Sequence, residues 1–179
     1  MAMTLITTNT HTGDSDSTSS FTSSIDSTYK LYIFKFYDIN PTTDNADFLF
    51  NGSIDGGSNY NVTKTNTFFK ANHPEDDSTT NLEYSDLHEV AESTAFIELY
   101  YDTGGGGDES GVGEMFLFNP SSTTYVKHFY STFQHYHNVD QSWNTYVAGC
   151  FNTTDNIDAV QFKMSTGNMD GVIKMYGVG

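Results

Sequence analysis

The chain has 179 residues, a length that suits one domain with its own hydrophobic core. It contains no Arg, and its seven Lys stand against 23 Asp and Glu, which gives a formal net charge of −16 at pH 7. Such a charge repels phosphate backbones and anionic lipid surfaces, so we predict that neither nucleic acid nor a membrane is a partner.

The N-terminal segment 1–28 is predicted to be a strand followed by a polar arm. Residues 3–8 are typical of a short strand, whereas residues 9–28 are dominated by Ser, Thr, Asp and Gly and favour a loop. Phe21 and Ile25 are the side chains of this arm that we expect to anchor it on the rest of the protein.

From residue 29 onward the chain consists of aromatic and β-branched runs separated by polar turns, which is typical of strands. The predicted strands cover residues 29–39, 47–54, 60–71, 95–101, 112–119, 124–137, 144–151, 158–165 and 171–178. Alternation predicts that these side chains face the core: Phe48, Phe50, Ile54, Val160, Phe162 and Met164. We therefore predict an all-β fold, a jelly-roll-like antiparallel β-sandwich of about eight or nine strands that forms one domain over residues 29–179.

Residues 29–39 differ from the other strands because they are apolar at both odd and even positions. This pattern indicates a strand that is covered on both faces. We expect the second sheet on one face and a loop or a neighbouring subunit on the other.

Residues 82–93 are the one segment that favours a helix. Leu82, Leu87, Val90 and Ala91 fall on one face at helical spacing, so a short helix is predicted there.

Pro120 marks a sharp corner between two strands. It cannot donate a hydrogen bond to a sheet, and the Asn, Ser and Thr residues around it favour a turn, so the preceding strand must end there. The same arrangement recurs at residues 39–43, where Asn40 and Pro41 are followed by two Thr.

Two sets of residues raise the question of a metal site. His135 and His137 lie two apart on a predicted strand and point the same way, which is a pattern of metal-binding jelly rolls, the alternative being an ordinary aromatic-rich surface strand. Asp102, Asp108 and Glu109 surround the run of four Gly at 104–107 and are candidates for a Ca²⁺ site, the alternative being a mobile loop tip.

We predict no enzymatic activity and no organic cofactor. The four-Gly run lacks the Gly-Lys-Ser/Thr of a phosphate-binding loop, and no Gly-x-Ser-x-Gly nucleophile motif occurs. With 23 acidic residues, any chosen carboxylate pair is uninformative about glycoside hydrolysis.

Cys150 is the only cysteine, so the chain can form no internal disulfide. Its apolar neighbours predict a small buried side chain.

Aromatic residues are the candidates for partner binding. The strand 124–137 carries two sets on opposite faces, one of which should be core and the other a surface for a protein or glycan partner. The two sets are Tyr125, Phe129 and Phe133 on one face, and Tyr130 and Tyr136 on the other. Trp143 is expected in a loop, either as a recognition platform or as a plug over the end of the sandwich.

Several segments resemble a family of small proteins carried by tailed bacteriophages, many of them marine. They include IDSTYKLYIFKFYDINPTTDNADFLF, DGGSNYNVTKTNTFFKA, GEMFLFNPSSTTYVKHFYS and AVQFKMSTGNMDGVIKMYGV, together with the MTLITTNT start. Related modules occur in distal parts of tail fibres. The resemblance implies a surface component of the virion, and it implies no catalytic residues.

Two functional hypotheses follow from this resemblance. The first is a multi-copy decoration or structural protein of the capsid or tail, which contacts other virion proteins and forms homo-oligomers. The second is a receptor-binding module of a tail fibre that recognises a host surface glycan through Tyr and Trp.

Overall fold

The computed structural model describes residues 2–179, which form twelve antiparallel strands and no helix. The strands are β1 (Met3–Thr12), β2 (Thr18–Phe21), β3 (Leu31–Pro41), β4 (Ala46–Ser53), β5 (Lys64–Pro74), β6 (Asn81–Tyr84), β7 (Ile97–Thr103), β8 (Gly111–Phe118), β9 (Lys127–His137), β10 (Gln141–Phe151), β11 (Ala159–Met164) and β12 (Met169–Val178). The predicted all-β antiparallel sandwich is confirmed. The count exceeds the expected eight or nine, partly because β2 and β6, of four residues each, were not predicted.

The strands form two layers that are joined at one point. The larger layer has the order β1-β12-β3-β8-β9-β10-β5-β6, and the smaller has the order β7-β4-β11-β2. A single pair, Thr103 with His137, connects β7 to the end of β9. One face of the larger layer therefore packs on the smaller layer, and the other face points outward.

The core between the layers is built mainly from Phe side chains. Phe162 of β11 lies at its centre, with its ring centroid 4.9 Å from that of Phe36 and 5.4 Å from that of Phe50. Phe48, Phe50, Val160, Phe162 and Met164 are buried as predicted. Ile54 is 44% exposed, contrary to the prediction, because β4 ends at Ser53 and the chain turns away.

The segment predicted as a polar arm is built into the sandwich. β1 pairs with β12 along the edge of the larger layer, and β2 pairs with β11 in the smaller layer. Phe21 and Ile25 are buried, as expected of anchoring side chains.

The helix predicted over residues 82–93 is absent, and this prediction is wrong. Residues 81–84 form β6 instead, and the following residues run alongside β5 without regular structure. Val90 N donates to Asn66 Oδ1 at 3.0 Å, and Asn66 N donates to the Val90 carbonyl at 3.1 Å. These bonds to β5 replace those that a helix would have made internally.

The corner at Pro120 ends a strand as expected. β8 ends at Phe118, and Asn119 adopts a φ of 45°, which an Asn tolerates better than most residues. The Ser122 N–H then donates to the Asn119 carbonyl at 3.0 Å. In the part of the chain that the structure describes, no helix is long and apolar enough to cross a membrane.

Candidate interaction surface

The side chains of β9 alternate strictly between the core and the outer face of the larger layer. Phe129 and Phe133 are 2% and 1% exposed and belong to the core. Tyr130 points outward and is 44% exposed. Of the aromatic residues that we predicted on the two faces of this strand, Phe129 and Phe133 therefore pack inside and are not accessible to a partner.

The other predicted partner-binding residues lie in three different settings. Tyr125 precedes β9 in the Pro120 corner and is 69% exposed. The Tyr136 hydroxyl lies on the outer side, where it donates to Glu75 Oε1 at 2.8 Å, and the Glu75 and Asp140 carboxylates raise the pKa of Tyr136. Trp143 belongs to β10 rather than to a loop, and its buried ring faces inward, so it cannot act as a recognition platform.

Strand register brings apolar side chains from six strands together on the outer face. Leu5, Tyr176, Ile33, Phe116, Tyr130 and Ala148 stand opposite one another in one continuous row across β1, β12, β3, β8, β9 and β10. A second row next to it contains Met3, Val178, Leu31 and Phe118, and Cys150 lies at its β10 end. We call these eleven residues the apolar stripe.

The stripe is accessible, although some of its members cover one another. Met3, Leu5 and Tyr130 are between 44% and 51% exposed, whereas Ile33 is buried beneath its neighbours. The Phe116 and Tyr130 rings stack with centroids 4.6 Å apart. At the β10 end a shallow groove of about 350 Å³ passes over Ala148 and Cys150.

Cys150 is an outward-facing, half-exposed residue of this surface, not the buried side chain that we predicted. It stands directly opposite His128 of β9 and Thr65 of β5. Because the chain contains no other cysteine, its thiol is a specific chemical probe of the stripe.

The eleven residues of the stripe include no Asp, Glu or Lys, and His128 of β9 lies between Phe118 and Cys150 in the second row. Its border is marked by the ion pair of Lys35 with Glu114, whose Nζ and Oε2 atoms lie 2.9 Å apart. More than half of the acidic residues lie toward the opposite ends of the strands, in the loops and turns there. They are Asp14, Asp16, Asp38, Asp44, Asp47, Glu75, Asp76, Asp77, Asp102, Asp108, Glu109, Asp140 and Asp170.

The candidate Ca²⁺ residues are not brought together. Asp102 Oδ2 lies 3.8 Å from His137 Nε2, while the Glu109 carboxylate turns back to accept the Gly106 N–H. Within residues 2–179, no group of three or more His, Cys, Asp and Glu side chains converges as a metal site would require.

His135 and His137 do not belong to an exposed surface, contrary to the alternative that we considered: both point into the protein, where they take part in a buried aromatic cluster. His137 stacks on Trp143 with ring centroids 4.1 Å apart, and Lys70 Nζ lies 3.9 Å from the centroid of the Trp143 ring. Glu83 Oε1 balances the Lys70 charge at 3.0 Å. These contacts tie β5, β6, β9 and β10 together.

His135 makes the stability of the fold sensitive to acid. Its Nε2 bonds to the Tyr101 carbonyl at 3.0 Å, and its Nδ1 has no partner among the described residues. Burial, reinforced by the neighbouring His137, lowers the pKa of His135 from 6.5 to about 3. Below pH 6.5 the unfolded chain therefore binds a proton at this residue that the folded chain does not.

We expect this residue to contribute to the loss of stability as the pH falls from 6.5 toward 3, by up to about 1.4 kcal/mol per pH unit. His135→Phe keeps a ring beside Tyr100 and should weaken that dependence. Urea unfolding at several pH values measures it, with His73→Phe, on an exposed histidine, as the control. Equal slopes for the wild type and His135→Phe would contradict this assignment.

Sequence reasoning anticipated only part of the stripe. The doubly apolar pattern of residues 29–39 indicated that both faces of β3 are covered, and Leu31 and Ile33 are the outward residues that cause it.

Comparisons with protein-family models, with curated proteins and with solved structures found no match.

Proposed function

We propose that the protein is a non-enzymatic surface component of a bacteriophage virion, present in many copies as a decoration or structural protein of the capsid or tail. The observation that carries the proposal is the apolar stripe. It spans six strands spaced ~4.8 Å apart, with two outward residues on every strand except β9, which contributes one, and this gives a footprint of roughly 400 Å². A contiguous apolar patch of this extent is comparable with the largest patch of a typical monomeric protein, about 300–600 Å², which is often a functional surface.

The stripe also connects the proposal to the phage resemblance. Most of its members come from the segments on which that resemblance rests, namely those that contain β3, β8, the start of β9, and β12. In these segments, apolar residues that face the core alternate with apolar residues that face outward. Such a pattern is expected of a protein whose outer face is covered by a partner after assembly.

The alternative, glycan recognition by a tail fibre, finds less support. A sugar stacks on the open face of an aromatic ring, but Trp143 is buried and Phe116 and Tyr130 are stacked on each other, which leaves Tyr125, 69% exposed, as the most accessible of the predicted aromatic residues. Phe69 and Tyr146, on the same outer face, are likewise stacked with centroids 4.8 Å apart.

Copy number in purified particles tests the proposal. Quantitative mass spectrometry against the major capsid protein is expected to find the chain in hundreds of copies per particle. Its absence from particles would overturn the proposal. A few copies confined to the tail tip would instead favour the receptor-binding alternative.

A further inference from the structure

We infer that the partner of the apolar stripe is a second copy of this chain, whose own stripe packs against it. The inference rests on the proposed multi-copy function and names the contact that such a function would use.

Charge is the first reason. Each copy carries a formal net charge of −16, so two copies repel each other over most of their surface. The stripe is the exception because its side chains are uncharged, and most carboxylates lie toward the far ends of the strands. Contact between two stripes therefore brings apolar surfaces together and leaves the acidic ends apart.

Composition disfavours a basic protein as the partner at this site. A positively charged surface would be attracted to the acidic loops at residues 75–77 and 104–110, which lie at the other end of the molecule. At the stripe, the positively charged side chains of such a partner would lose their hydration without gaining a carboxylate of the stripe as an ion-pair partner. A face that is itself apolar is the matching surface, and another copy of the stripe is such a face.

Area is the third reason. A standard stable interface buries about 800 Å² on each partner, with an apolar centre and a polar rim. The footprint of roughly 400 Å² supplies such a centre. The rim would come from polar side chains beside it, such as Thr65, Thr67 and Thr132, on the same outer face. Because the same patch serves both copies, the arrangement closes as a dimer.

Analytical ultracentrifugation of the purified chain over a range of concentrations tests the inference. The wild type is expected to pass from monomer to dimer as its concentration rises. Tyr130→Glu and Ala148→Glu place a carboxylate on exposed positions of the stripe, on β9 and at its β10 end, and should weaken the dimer at least tenfold. Tyr37→Glu is the matched control, since Tyr37 lies on the same outer face, outside the stripe, and is 40% exposed.

Cys150 supplies an independent readout. In the wild type, its rate of reaction with a maleimide should fall as the dimer forms, and in Ala148→Glu the rate should not depend on protein concentration. Circular dichroism and thermal melts establish that each variant is folded. The second variant keeps the test valid if Tyr130→Glu does not fold.

Salt dependence distinguishes a dimer held by the uncharged stripe from one held by pairs of opposite charges. Two copies repel electrostatically, so raising the salt concentration from about 50 mM to about 500 mM should tighten the dimer several-fold. A dimer held by opposite charges would weaken as the salt concentration rises, and that result would contradict a contact through the stripe.

A wild type that stays monomeric at all concentrations would overturn the inference. So would a dimer that both stripe variants leave intact, because the contact would then lie elsewhere. These outcomes are separate from the copy number in particles: a monomeric chain found in hundreds of copies per particle would refute the second copy as partner and leave the proposed function standing. A chain that dimerises through the stripe but is absent from particles would refute the proposed function and leave the second copy as partner standing.

Discussion

Truncation of Phe162 to Ala is expected to lower the free energy of unfolding by about 3–5 kcal/mol, the largest effect of any single substitution that we consider. Phe162 is fully buried in β11, and its ring contacts five other Phe rings from both layers. Ala would leave a cavity that the surrounding rings, held by their own strands, can fill only in part.

Urea unfolding followed by circular dichroism measures this change, and Phe69→Ala is its matched control. Phe69 is 41% exposed on the outer face and stacks only on Tyr146, so its loss should cost about 1 kcal/mol. A Phe162→Ala variant no less stable than Phe69→Ala would show that Phe162 does not lie at the centre of the core.

The core could be predicted from sequence because alternation is a local signal. In β11, Val160, Phe162 and Met164 alternate with Gln161 and Lys163, and a period of two admits only one inward face. β10 was harder to interpret, since its inward residues include Thr145 beside Trp143 and Val147. The polar residues around Trp143 therefore resembled a loop.

Residues 82–93 show how tertiary contacts override a local pattern. The apolar spacing there favoured a helix, but Leu82 and Leu87 are 72% and 85% exposed and make no apolar face against the core. The backbone of Tyr84 pairs instead with that of Phe69 at the open edge of β5. The edge of β5 presents unpaired backbone N–H and C=O groups, and the local sequence of residues 82–93 does not show that these groups lie nearby.

The apolar stripe could not have been predicted as a unit. Leu5 and Tyr176 are far apart in the chain, and they become neighbours only through the register of β1 against β12. Register depends on the pairing of whole strands and not on the residues near either position. Cys150 illustrates the same limit, because a shift of one residue in the register would have placed it in the core.

Lys64 provides the second large expected effect, a rise in stability with pH that Lys64→Met removes. Lys64 is fully buried, and its Nζ donates to Asn51 Oδ1 at 2.8 Å and to the Val62 carbonyl at 3.1 Å. No carboxylate balances it there, and burial lowers its pKa from 10.5 to about 7. Between these values the unfolded chain binds a proton that the folded chain has released, so the stability of the fold increases as the pH rises from about 7 toward 10.5.

The slope expected from this residue is up to about 1.4 kcal/mol per pH unit. In Lys64→Met the Gly52 N–H still donates to Asn51 Oδ1 at 2.9 Å, so the substitution removes the titrating group and leaves that oxygen paired. Urea unfolding between about pH 7 and pH 9.5 should show a flatter dependence for Lys64→Met than for the wild type. Lys30→Met, on an exposed lysine, should retain the wild-type slope. Burial also lowers the pKa of Lys127, so replacing Lys127 as well should flatten the dependence further. A wild-type slope in the double variant would refute the role of both buried lysines.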